Sequence, residues 1–206
     1  MWFKKLPVFL LCLVPIAWLI FQVMSGRAGP DFGKELVLFT GIWALRFLIA
    51  TLAITSIRRL TGFTVVIRYR RMVGLYVWFY ASVHLLAILT YMLGWSWYIF
   101  VEEFVERPYM ALGIIAWVLL VPLGLTSNLW MIKKLGRYWK LLHKLIYVIA
   151  ILACAHFIWL IRSDYWEALF YSSLVALLLL NRFISFVVPR LRAYIPRVVS
   201  RWVEAD

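Results

Sequence analysis

Six times along this chain a long run of residues passes with almost no charge: 6–24, 36–57, 72–95, 109–130, 139–161 and 165–188. About 20 apolar residues in an α-helix cross the hydrocarbon core of a bilayer. Lipid cannot satisfy backbone N–H and C=O groups, so a spanning segment is either a helix or a strand of a closed barrel. The runs are continuously apolar rather than alternating, which favours helices. The first run follows Lys4 and Lys5, as a signal peptide would. It is too long for a signal h-region and no clear small-x-small cleavage site follows, so it reads as a span. The expectation is an all-α integral membrane protein, a six-transmembrane-helix bundle. Only 15% of residues are charged, against roughly 25% in a soluble domain.

The net charge of +13 is distributed unevenly. Lys4 and Lys5 precede the first span. Arg58, Arg59, Arg68, Arg70 and Arg71 follow the second, and Lys133, Lys134, Arg137 and Lys140 follow the fourth. Arg182, Arg190, Arg192, Arg197 and Arg201 lie at the end. The other three connections hold Arg27, Lys34, Arg107 and Arg162 against Asp31, Glu35, Glu102, Glu103, Glu106, Asp164 and Glu167. Excess Lys and Arg marks the cytoplasmic side. Both termini are therefore expected in the cytoplasm, with the acidic connections facing the other compartment. Residues 1–188 form the membrane domain in this reading, and 189–206 a basic cytoplasmic tail that lies on anionic headgroups. Pro189 and Pro196 are expected to break up that tail, which is too short for a nucleotide-binding domain. Pro108 suits the first position of a helix, and Pro122 is expected to kink the fourth span. No internal repeat or low-complexity segment is present. Cys12 and Cys154 fall within spans and read as packing thiols. There is no C-x-x-C-H, which excludes covalently attached haem.

Ionisable or metal-binding residues inside a membrane are functional candidates. All three histidines of the chain fall on two spans: His84 in the third, and His143 and His156 in the fifth. These spans run in the same direction. At about 1.5 Å per residue, His84 and His156 reach similar depths. Two imidazoles at one depth on neighbouring helices are what a b-type haem needs for its two axial ligands. The alternative is a pair of neutral histidines bonded to helix backbones or to Ser and Thr. Zinc is disfavoured, because no carboxylate or second thiolate accompanies them and Cys154 faces away from His156.

His143 lies 13 residues before His156, about 20 Å along a helix and roughly 140° around it. Arg70 lies 14 residues before His84 and so returns to nearly the same face. Opposite His143 the third span therefore presents Arg70, not a second histidine. Either Arg70 pairs with a haem propionate, or an inner haem has an unusual ligand set, or there is no inner haem; the alternative for Arg70 itself is a plain positive-inside anchor. Arg46 stands near the middle of the second span. A charge at the bilayer centre costs about 2.5–3.5 kcal/mol on insertion scales. Arg46 is thus expected to face inwards, towards a propionate, a quinone carbonyl or another bound anion, with snorkelling as the alternative.

The stretches "LGRYWKLLHKLIYVIAILACAHFIWL", "RRMVGLYVWFYASVHLLAIL", "RPYMALGIIAWVLLVPLGLTS" and "LFTGIWALRFLIATLAIT" resemble the MsrQ (YedZ) family, within the ferric-reductase-like transmembrane group. The likeness covers nearly the whole chain in order. It implies an electron-transfer subunit of a methionine sulfoxide reductase system in the bacterial inner membrane, rather than the catalytic subunit. Its implied acceptor is a periplasmic molybdopterin enzyme, MsrP, and its implied donors are the quinone pool or a cytosolic flavin reductase. The implied cofactors are haem b, one or two per chain, and FMN. The family's haem histidines fall on His84, His143 and His156. Some relatives have histidine where Leu38 stands, so that ligand is missing here. Two competing functions remain. The first is a reductase of another kind, either a ferric/quinone reductase-like cytochrome b with a different acceptor or a self-sufficient ferric or superoxide-forming reductase, which requires a flavin and nicotinamide domain. A non-redox assembly factor or transporter more often shows broken helices and a repeat.

Overall fold

The computed structural model describes residues 5–27, 29–161 and 165–203, with residues 189–203 described by backbone alone. Lys4, Arg162 and Asp164 lie outside the described residues, as do the side chains of Arg190, Arg192, Arg197 and Arg201. Among the described residues every regular element is helical: α1 (Leu6–Met24), α2 (Phe32–Thr61), α3 (Arg70–Ala87), α4 (Trp97–Glu106), α5 (Pro108–Leu125), α6 (Leu129–Leu135), α7 (Arg137–Leu142), α8 (Leu145–Leu160) and α9 (Trp166–Val203). A 3-10 turn (Thr64–Tyr69) leads into α3 and a π turn (Ile88–Met92) leads out of it. Six segments are long and apolar enough to cross a membrane.

Short polar signals set the helix ends. Asp31 caps α2 by accepting from the Lys34 amide at 3.2 Å, and Asn128 caps α6 by accepting from Met131 at 2.8 Å. α2 stops at Gly62, whose φ of 71° gives the left-handed cap conformation that glycine adopts without penalty. The fourth span ends at Leu125, short of the expected 130. The Thr126 amide closes on Pro122, and Asn128 then starts a separate helix. The fifth is not continuous either, since α7 and α8 are separated by a turn at His143 and Lys144. Between the third and fourth spans the chain forms α4, where only a connection was expected. α9 is unbroken to Val203, which corrects the reading of Pro189 and Pro196 as breaks. These prolines are seven residues apart and share one helix face. Each removes one backbone bond there, while the ladder on the other face remains.

Five helices close a ring: α2 packs on α3, α3 on α5, α5 on α8, α8 on α9, and α9 back on α2. The tightest of these contacts are α2 with α3 and α5 with α8. α1 stands outside the ring against α3, held by two tyrosines. Tyr76 donates to the Phe9 carbonyl at 2.9 Å. Tyr80, fully buried, donates to the Cys12 carbonyl at 3.0 Å and accepts from the Ile16 amide at 3.2 Å. Its hydroxyl thereby enters the α1 backbone ladder beside Pro15. Phe47 of α2 stacks on both rings, at 5.6 and 5.0 Å. Cys12 and Cys154 are buried free thiols.

The apolar surface points outwards. Within the span Trp166–Val188 an 18-residue stretch has a mean hydropathy of 1.8, yet only 6% of that stretch is buried. Leu177, Leu180, Phe183 and Phe186 are all exposed. Such a surface requires lipid as its solvent. Removing the Tyr80 hydroxyl leaves buried backbone groups of α1 short of a partner, at a cost of about 1–3 kcal/mol. Tyr80→Phe should therefore unfold earlier than wild type in detergent titrations. An unchanged midpoint would show that α1 is not anchored in this way.

Candidate functional site

His84 projects from α3 towards α2, where its Nδ1 lies 2.8 Å from the Val37 carbonyl. His156 projects from α8 towards α5, where its Nδ1 lies 2.6 Å from the Tyr109 carbonyl. A carbonyl only accepts, so each Nδ1 carries the proton and donates. Each Nε2 is then left with a lone pair. This is the tautomer that a metal-binding histidine needs, and the backbone bond is the usual device that holds it.

Two glycines make these bonds reachable. A Cβ on Gly41 of α2 would come within 2.9 Å of the His84 ring, and one on Gly113 of α5 within 2.9 Å of the His156 ring. Gly41 lies four residues after Val37, and Gly113 four after Tyr109. Each therefore shares a helix face with the carbonyl that its histidine uses. Each tightly packed helix pair thus seats one imidazole by the same means.

The two rings come together across the ring of helices. Their centres are 6.4 Å apart and their planes cross at 83°. Two imidazoles bound at about 2 Å on opposite sides of one metal, each nitrogen about 1.1 Å from its ring centre, hold their centres about 6 Å apart. The separation fits. Among the described residues no group of three or more His, Cys, Asp or Glu is arranged to hold a metal ion. A tetrahedral zinc site lacks its ligands, whereas a haem iron needs only the two axial nitrogens.

The other sequence candidates lie elsewhere. His143 sits in the turn between α7 and α8. Its ring stacks on Trp139 at 3.9 Å, its Nδ1 is 3.0 Å from the Trp139 carbonyl, and its Nε2 is 3.4 Å from the Ser127 hydroxyl. The turn voids the angle expected for an uninterrupted helix. Arg70 lies within electrostatic range of both His143 and Tyr147. Arg46 is on α2, five residues from Gly41, about 140° around the helix. Its Nε donates to the Tyr171 hydroxyl at 2.8 Å, its Nη2 lies 4.0 Å from Glu167, and its guanidinium sits 4.8 Å above the Trp43 ring. α9 supplies its polar partners. Leu38 is half-exposed.

At the acidic end, Arg107 donates to the Tyr109 hydroxyl at 3.0 Å and to Glu103 at 2.7 Å. The Tyr109 bond and these neighbouring acids push its pKa above the ordinary value. Glu103 is therefore already engaged, while Glu102 and Glu106 are exposed on α4. Gly41 and Gly113 escape sequence reasoning, because glycine is common in membrane helices and nothing local marks a close approach.

Six spans with two facing, backbone-anchored histidines define a multi-pass membrane protein with a paired-imidazole site. The family model described as ferric reductase like transmembrane component matches residues 8–154. Relatives carry the name protein-methionine-sulfoxide reductase heme-binding subunit MsrQ. The one from Xanthomonas euvesicatoria is 49% identical over 81% of this chain and 79% of its own length. That from Xanthomonas oryzae is 47% identical over the same shares. The Brucella ovis protein is 42% identical over 82% of this chain and 76% of its own. The chain belongs to the ferric-reductase-like transmembrane family and, within these relatives, to the MsrQ family. No solved structure matches it.

Because the partners of Arg46 belong to α9, Arg46→Leu should loosen the contact between α2 and α9. The loss is roughly 1.5–3 kcal/mol, the scale of a hydrogen bond to a charged group. Tyr171→Phe should retain part of it. Chemical unfolding in detergent checks this, and unchanged stability of Arg46→Leu would refute the tie.

Proposed function

We propose that this protein is the electron-transfer subunit of a methionine sulfoxide reductase system in the bacterial inner membrane. The observation that carries the reading is the His84–His156 pair, with both Nδ1 atoms committed to carbonyls and ring centres 6.4 Å apart. The names of its relatives, which specify a heme-binding subunit, point the same way. His84 and His156 are the residues that hold haem b, which when bound supplies a one-electron carrier at the acidic end. The Val37 and Tyr109 carbonyls keep both imidazoles in the ligating tautomer. The surrounding apolar helices exclude water.

The Lys and Arg excess supports a cytoplasmic basic end, where the donor is the quinone pool or a cytosolic flavin reductase; FMN is carried over from the family resemblance alone. His143 and Arg70 serve a second, separate redox centre at that end. The supporting observation is that His143 Nδ1 also lies against a backbone carbonyl, at 3.0 Å, although that carbonyl belongs to Trp139 one turn earlier and not to a neighbouring helix. Arg46 holds a neighbouring anionic group in this reading, with Glu167 as its partner within the chain. The acceptor is a periplasmic molybdoenzyme of the MsrP type, and this chain supports its repair of oxidised proteins. Glu102 and Glu106, exposed on α4, offer that acceptor a negative face. Complementary charge chiefly raises the rate of encounter.

His84→Ala and His156→Ala should each strip the pair's haem and its sharp reduced α band. His143→Ala should leave that band in place and alter a separate centre. Retention of full haem and an unchanged spectrum in both single variants would refute the ligand assignment. Glu102→Gln with Glu106→Gln should slow oxidation of the reduced protein by the partner, most at low ionic strength. Stopped-flow rates that match wild type at every salt concentration would remove these acids from the docking face.

A further inference from the structure

We infer that Gly41 and Gly113 are positioning residues that fix the planes of the His84 and His156 imidazoles near a right angle. Through those planes they set the electronic signature of the metal between the two rings. The inference rests on the haem reading above and concerns how the ligands are held.

Each ring is constrained twice. Its Nδ1–H is tied to a carbonyl, and its edge lies where a glycine leaves no Cβ. A methyl on Gly41 would stand 2.9 Å from His84 Cε1 and 3.0 Å from its Nδ1, and one on Gly113 would stand 2.9 Å from both atoms of His156. Side chains do not pack that closely, so the ring must lift or turn. Either movement lengthens or breaks the Nδ1–H bond, because the carbonyl that receives it belongs to the same helix face as the glycine. The two seats arise on different helix pairs, in a chain with no internal repeat, and share the same four-residue offset from carbonyl to glycine. The other helical glycines differ. Gly74 has only ordinary contact with Thr51, at 3.7 Å. Gly33 and Gly124 have even closer neighbours than the seats, Tyr91 at 2.8 Å and Trp78 at 2.6 Å, but neither meets a histidine.

The 83° between planes has a spectroscopic consequence. In ferric low-spin haem, crossed axial imidazole planes give a strongly anisotropic resonance dominated by one large g value. Parallel planes give a rhombic spectrum with three resolved lines. The Nδ1–H bond also makes the imidazole a more basic ligand, and losing it weakens metal affinity by about 10–100-fold.

Electron paramagnetic resonance of the oxidised, full-length protein in detergent tests this, with haem content measured in parallel. Wild type should give the anisotropic signal. Gly41→Ala and Gly113→Ala should each shift its largest g value or lose haem retention about tenfold or more, with the midpoint potential moving upwards. Gly124→Ala, with a clash at least as severe, controls for damaged packing. It should lower stability but keep the wild-type signal and haem content. A rhombic wild-type signal overturns the inference, as do seat variants that keep the wild-type signal and haem. So does a Gly124→Ala protein that changes as much as they do. A wild type that binds no haem fails earlier and overturns the functional reading with it.

Discussion

Each of the two facing imidazoles spends one nitrogen on a carbonyl of the neighbouring helix. In water that bond would be minor. Within a membrane-spanning bundle a buried polar group without a partner costs several kcal/mol, so the bond decides where each ring lies. It fixes the proton on Nδ1 and frees Nε2. It also requires the ring to lie against the neighbouring backbone, which only a residue without a side chain allows. The approach of α2 to α3 and of α5 to α8 carries the two donors to a separation that one metal ion can bridge.

Around that centre the bundle follows the rules of its solvent. Apolar side chains coat the outside, and polar side chains inside the spans find partners on other helices. Tyr80 satisfies α1 where Pro15 disturbs its ladder. Arg46 stays within the span because Tyr171 and Glu167 reach it from α9. Among the described residues both ion pairs lie towards the acidic end, where each binds an arginine to a nearby carboxylate. This pairing leaves Glu102 and Glu106 as the acids of α4 that are free to meet another protein.

Much of this was legible in the sequence, because length and hydropathy are properties of single segments. Six apolar runs announce six spans, and the depths of His84 and His156 follow from counting residues along parallel helices. The parts that were not legible depend on contacts between segments or on the chain's choice of where to break. The turn at His143 and Lys144 interrupts a run that is apolar throughout. α4 was hidden because its ten residues, aromatic and aliphatic at the start and acidic towards the end, are too short and too charged to stand out as a span. Pro189 and Pro196 were read as breaks by propensity, but a proline can kink a helix without ending it, and α9 runs on past both. The seats at Gly41 and Gly113, and the partners of Arg46, belong to pairs of helices and have no signature within either member.

The central claim is that this chain holds haem between His84 and His156. The most direct measurement is a pyridine haemochrome assay on the purified wild-type protein, normalised to protein by amino-acid analysis. The expected result is at least one non-covalent haem b per chain, extractable into acidic acetone. A colourless protein, purified folded from cells that make haem, would contradict the claim and reduce the two histidines to structural hydrogen-bond donors.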